Sequence, residues 1–263
     1  MGILHFEFMR NALLVGLLVS IACGVIGTYV VVKRIVFISG GISHTAYGGI
    51  GLGYYLGFNP MVGATIFTVA SALGMGLVQQ RSRQREDTVI GVMWAVGMAL
   101  GIIFVKLSPG YAADLMSYLF GSILTVPVRD IGYIFMLDLL IAGIVYRYFD
   151  EFKAVAFDEE FARVSGLKTD FLNLLLLFLV ALTVVVMIRA VGIILVIALL
   201  TIPPAIAGEF SHGLKGMMML AVLLGIIFTS AGLGLSYLFD LPSGATIILV
   251  AAVGYILALL CKR

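Results

Sequence analysis

Charge is the scarcest commodity in this sequence of 263 residues: Asp, Glu, Lys and Arg together make up 11% of it, where a soluble domain carries roughly a quarter to cover its surface. With 62% hydrophobic residues and a mean hydropathy of +1.17, that shortage excludes a soluble globular domain and implies an integral membrane protein. The charges present nearly balance, at a net +2, so there is no basic footprint for nucleic acid. Cysteine is limited to Cys23 and Cys261, far apart in apolar surroundings, which excludes a disulfide framework and a paired thiolate metal site. A phosphate cradle is missing too. None of the six lysines follows a glycine, so GxxxxGK(S/T) does not occur, and neither does the HExxH helix of a metalloprotease. Ser43 and His44 are neighbours that point about 100° apart on a helix, so they cannot serve each other as nucleophile and base. These absences argue against an enzyme and leave any energy supply to another chain or an ion gradient.

What the chain does have is long apolar runs. A span needs about 20 mostly apolar residues, which predicts helices near 11–32, 37–57, 60–80, 88–107, 130–149, 171–188, 191–208, 214–238 and 243–261. The run after Arg10 is too long for the apolar core of a cleaved signal and reads as the first span. The expected fold class is an all-α polytopic membrane protein, a single domain over residues 1–263 with eight or nine transmembrane helices. The ninth depends on 191–208, which is short and contains Pro203-Pro204. Two prolines remove two backbone donors and free the carbonyls that would have received them. The segment is therefore either a kinked span or a broken element lining a cavity, with carbonyls that offer oxygen to a passing cation.

Placing the odd-numbered connections and the C-terminus on the cytoplasmic side collects Lys33, Arg34, Arg81, Arg83, Arg85, Arg147, Lys153, Arg163, Lys168, Lys215, Lys262 and Arg263 there, leaving Arg10, Lys106, Arg129 and Arg189 outside. This positive-inside bias orients the chain with its N-terminus outside. The outer side then has one long loop, Ser108 to Val128, whose middle from Tyr111 to Ile123 is apolar enough to rest on or dip into the membrane face.

The longest cytoplasmic connection contains FDEEFARVSGL, Phe157 to Leu167. Its Phe157, Phe161, Val164 and Leu167 fall on one face of a helix, with acids including Glu160 in the first turn and Gly166 placed to end it. Such a face is received either by the bilayer surface or its own bundle, or by a groove on a partner.

The stretch SGGISHTAYGGIGLGYYLG, Ser39 to Gly57, sets one histidine in an apolar, glycine-rich span. An ionisable group at that depth is costly and marks a functional candidate. Ser43 and Tyr47 flank His44 on the helix, and small residues there let another helix approach or leave a path open. The alternative role for His44 is hydrogen-bonded glue between helices. Asp138, midway along the fifth span, faces the same choice between touching an ion and structural hydrogen bonding. Glu209, His212, His5 and Glu7 read as surface groups, and Met217, Met218 and Met219 as packing. GLGYYLGFNPMVGATI (Gly51 to Ile66) also matches GLGLSYLFDLPSGATI (Gly232 to Ile247) without a gap, which suggests a repeat of two hairpins.

SHTAYGG, EDTVIG, GSILTV, FDEEFARVSGL, VGIILVIALLTIPPAIAG and DLPSGATIIL, in this order, resemble the membrane permease subunits of zinc, manganese and iron type metal-ion ABC transporters along essentially the whole chain. The resemblance implies a prokaryotic cytoplasmic-membrane permease working as a homodimer with a separate ATPase and an extracytoplasmic metal-binding protein. It holds no stable cofactor, the divalent metal being its cargo. It also implies that Phe157 to Leu167 is the coupling helix docking on the ATPase, and that His44, with Ser43 and Tyr47, lines the metal path. Relatives commonly carry an aspartate one turn before this histidine; this sequence has Gly40, which leaves the ligand number and the preferred metal open. An ABC permease for another cargo such as a metal chelate, or an ion-coupled secondary transporter, is the alternative.

Overall fold

The computed structural model describes residues 6–81, 86–109 and 116–261. Of the positions singled out above, His5, Arg83, Arg85, Tyr111, Lys262 and Arg263 lie outside these. The described residues form twelve α-helices and no strand: α1 (Glu7–Val32), α2 (Val36–Leu56), α3 (Pro60–Arg81), α4 (Glu86–Leu107), α5 (Met116–Phe120), α6 (Val128–Arg147), α7 (Phe149–Phe157), α8 (Glu159–Val164), α9 (Thr169–Val191), α10 (Ile193–Phe210), α11 (Leu214–Phe239) and α12 (Ser243–Cys261). Seven of them, α1, α3, α4, α9, α10, α11 and α12, are long and apolar enough to cross a membrane. The expectation of eight or nine spans counts α2 and α6 as well. Both are long enough, at 21 and 20 residues. Six glycines with Ser39, Ser43 and His44 dilute α2, however, and Arg129, Asp130, Asp138 and Arg147 charge α6.

The chain divides into two compact units, one of residues 1–34, 115–147 and 186–263, the other of residues 35–114 and 148–185. In the first, α1 is the hub. Gly16, Ser20 and Gly24 recur every four residues and meet Thr229, Gly225 and Val222 of α11, a small-residue seam of the kind that lets membrane helices approach closely. One turn on, Gly27 faces α10. A Cβ added there would stand 2.9 Å from both the Leu200 carbonyl carbon and Pro204 Cγ. Gly27→Ala is therefore expected to destabilise the purified protein by about 1–3 kcal/mol, the scale of overpacking. Gly132→Ala is the control in thermal denaturation, because a Cβ there meets nothing within 4 Å.

The segment predicted over 191–208 is continuous from Ile193 onward as α10, with both prolines buried inside it. It is separated from α9 by Gly192 at φ 80. Leu200, whose carbonyl Pro204 cannot satisfy, turns that oxygen toward Gly27. The long loop after α4 contributes α5 and a 3-10 turn, Ile123–Thr125. Ile123 is buried, its Cδ1 3.9 Å from where a Gly16 Cβ would be.

In the second unit α2 is the hub, and its glycines are approach points. Gly49 and Gly63 of α3 abut backbone to backbone, as do Gly51 and Gly101 of α4. The small residues around His44 thus serve close helix packing on α3 and α4.

The two hairpins that echo each other in sequence use the same closing device. Helix α2 ends on Gly57 in the left-handed region, with Phe58 N–H donating to Gly53 O at 3.0 Å. Helix α11 ends on left-handed Asp240, with Leu241 N–H donating to Ser236 O at 3.0 Å. That device falls two residues later in the second stretch, and the matched glycines Gly63 and Gly244 face different partners, Gly49 and Phe120. The stretches share a turn more than a register.

Candidate functional site

Residues of α2 and α4 build the first candidate site. His44 is half-buried in α2, and its Nδ1 is fully buried with no hydrogen-bond partner among the described residues. Its ring lies flat on the indole of Trp94, with centroids 4.0 Å apart and planes 13° from parallel. Trp94 is held in turn by its Nε1–H, which donates to Met98 Sδ at 3.2 Å. One turn before His44, a Cβ on Gly40 would meet only the Trp94 ring, at 3.6 Å. Ser43 is buried and its hydroxyl donates to Ser39 O at 2.7 Å. Tyr47 is buried too, its carbonyl against Gly101. Among the described residues no group of three or more His, Cys, Asp and Glu is arranged to hold a metal ion. Among the described residues this arrangement presents a single imidazole, far short of the four protein ligands of a structural zinc site.

Trp94 was not legible as part of this site. The signal available was its being the chain's single tryptophan, midway along a predominantly apolar helix.

Asp138 belongs to the first unit, on the inward face of α6 with Ile134, Leu137 and Ile141. It is 7% exposed, and neither carboxylate oxygen has a hydrogen-bond partner among the described residues. Asp138 and His44 therefore sit in separate units. At one end of α6, Asp130 pairs with Arg189 at 3.0 Å, a link between the ends of α6 and α9 that sequence reasoning missed because it paired neither residue. Pro203 and Pro204, the predicted cavity or gating pair, are packed in α10, where Leu200 O and the Pro204 ring meet α1.

The second candidate is α8. The helix predicted over 157–167 is shorter and begins later, at Glu159, because Asp158 is extended at φ −151 and caps it, its Oδ1 accepting from Phe161 N–H at 2.9 Å. Phe157 consequently ends α7 instead of opening α8. The other end follows the sequence: Gly166, at φ 88, donates to Arg163 O at 3.1 Å and Leu167 N–H to Ala162 O at 3.1 Å, the paired bonds of a Schellman cap. Ala162 is the helix's buried anchor, and Leu167 is half-buried. Arg163 ties the helix to the start of α9, 3.3 Å from Asp170 and 3.2 Å from Thr169 Oγ1, and pairs with Glu159 at 3.3 Å. Behind these groups lies a polar cavity of about 260 Å³ lined also by Gly76, Gln79 and Asn173. Outward, Phe157, Phe161 and Val164 are 65%, 67% and 88% exposed, with Glu160 beside them. Two large apolar side chains on a six-residue helix otherwise rich in charge, with Phe157 at the end of α7 just before it, leave an exposed apolar surface of the kind that marks an interaction site.

The chain is 52% identical over 260 residues to an uncharacterized membrane protein of Synechocystis sp., covering 99% of this chain and 92% of that one. It is 36% identical over 259 residues to the manganese transport system membrane protein MntC of Listeria innocua, covering 98% and 92%. A solved structure, PsaBC from Streptococcus pneumoniae in complex with Fab, matches with a TM-score of 0.87 at 30% identity over 98% of this chain and 92% of its own. With twelve helices among the described residues, seven of them long and apolar enough to span, and a model of the ABC 3 transport family matching residues 5–262, the chain is a multi-pass membrane protein and belongs to the ABC 3 transport family.

Proposed function

We propose that this chain is the transmembrane permease subunit of an ABC importer that moves a divalent metal ion, zinc, manganese or iron, across the cytoplasmic membrane of a prokaryote, driven by a separate ATPase. The observation that carries the metal reading is His44: a buried imidazole nitrogen with no partner among the described residues, on the helix around which the second unit packs. Conduction needs a site good enough to enter and weak enough to leave, and a single imidazole meets that condition. The names of relatives such as MntC support a metal cargo.

In this reading α2 and α6 complete nine spans in one permease domain, and α8 lies on the cytoplasmic side as the coupling helix. Its exposed Phe161 and Val164, with Phe157, supply the apolar contact to the ATPase, with Glu160 at the rim and Gly166 and Leu167 closing the helix. That surface favours an ATP-driven permease over an ion-coupled secondary transporter, which has no partner to receive it. A second copy completes the pore, an extracytoplasmic metal-binding protein delivers the ion, and the metal is cargo with no resident cofactor. Asp138 and the Pro203-Pro204 pair belong to the first unit, where Pro204 packs against Gly27 of α1. Proteoliposomes containing the permease and its ATPase are expected to accumulate zinc, manganese or iron only with ATP. Uptake driven by an ion gradient alone, or of a chelate but not a free ion, would replace this reading.

A further inference from the structure

The glycines of α2 fall into two kinds. At Gly49, Gly51 and Gly53 an added Cβ would come within 3.0 Å of the backbone of Gly63, Gly101 and Pro60, and at Gly41 within 3.0 Å of Ile90 Cγ2, so helix packing demands glycine there. Gly40 is different. Its only neighbour in reach is the indole of Trp94, at an ordinary 3.6 Å, so packing leaves room for a side chain that the sequence does not supply. The same indole covers His44, and its N–H is engaged with Met98. One rigid aromatic plane therefore roofs both the imidazole and the vacant position beside it.

Resting on the reading of His44 as a cargo ligand, we propose that Trp94 is a positioning and specificity-determining residue of that site, favouring a borderline cation bound through imidazole nitrogen over a hard cation that seeks oxygen. Two effects of the indole produce this. Stacking fixes the plane of the imidazole, as outer-shell partners do for metal-bound histidines. The π-face also accommodates the electron-poor ring that forms when the imidazole binds a cation. In addition, Gly40 supplies no oxygen donor one turn before His44, and the group nearest to it is the carbon ring of the indole. Imidazole suits zinc, whereas manganese is favoured by carboxylate, carbonyl and water. Removing oxygen donors from one side of the site therefore costs manganese more than zinc.

The full-length chain in detergent micelles allows a direct test, because its one tryptophan is Trp94 and every change in indole emission reports this position. Zinc ion is expected to change that emission in the unmodified protein and not in His44→Ala. By competition binding with zinc and manganese, Trp94→Ala is expected to lower the zinc-over-manganese preference about tenfold, the low end of outer-shell effects, and Trp94→Phe to retain it. Gly40→Asp, which keeps the indole and adds a carboxylate beneath it, is expected to shift the preference toward manganese by a similar factor. It also supplies the answer where Trp94→Ala fails to fold. His44-dependent binding with an unchanged preference in Trp94→Ala or, in its place, Gly40→Asp overturns the role of Trp94 and leaves His44 standing. Zinc binding by His44→Ala equal to the unmodified protein removes the His44 reading and this one with it.

Discussion

His44→Ala is expected to lower metal uptake by at least about tenfold, the scale on which even outer-shell partners of a metal matter, while the protein still assembles with its ATPase. The expectation rests on the asymmetry of the side chain's surroundings. One face of the imidazole is stacked on Trp94 and its Nδ1 is buried without a partner among the described residues. A histidine kept as structural glue would hydrogen-bond a neighbouring helix, and its loss would lower stability before transport. Alanine here removes a ring that is already half-exposed and pays for no hydrogen bond, so the fold survives. Two measurements separate the cases: uptake in proteoliposomes and thermal stability of the purified variant. Reduced uptake at unchanged melting temperature supports the ligand. A lowered melting temperature with uptake per folded protein unchanged identifies packing and removes His44 from the path.

The positions of the long helices were legible because a bilayer enforces them: a span must be about 20 apolar residues, and its backbone must satisfy itself. The stretch 37–57 became Val36–Leu56 and 60–80 became Pro60–Arg81. Even the doubtful 191–208 became a continuous helix from Ile193 onward, since the buried prolines kept their neighbours packed on α1. Shorter elements escaped because their limits depend on single side chains. Apolar spacing placed Phe157 on the same helix as Phe161, but the carboxylate of Asp158 caps Phe161 N–H and divides the two. The candidate site was half legible. An ionisable residue in an apolar span draws the eye to His44, whereas Trp94 comes from α4, 50 positions later in the sequence, and only packing brings the rings together. Likewise, sequence alone cannot separate Gly40, which has room above it, from Gly41, which does not.

Replacing Phe161 and Val164 together with aspartate is expected to abolish copurification of the ATPase while leaving the permease folded. Folding survives because both side chains are largely exposed, at 67% and 88%, and the groups that hold α8 lie elsewhere: Asp158 at its start, Gly166 at its end, Ala162 beneath it and Arg163 against Asp170. Partner contact does not survive, because an apolar groove would have to desolvate two carboxylates. Burying an unpaired ion costs several kcal/mol even after relaxation, and each 1.4 kcal/mol is about a factor of ten in Kd. A loss on the order of 100-fold follows even where much of each charge still reaches water. Arg163→Ala gives the complementary case. It breaks exposed ion pairs worth about 1 kcal/mol at most, so the ATPase still binds while the tie from α8 to α9 slackens, and ATP turnover is expected to proceed with less transport per ATP. Undiminished copurification after the double aspartate substitution would show that α8 is not the docking element.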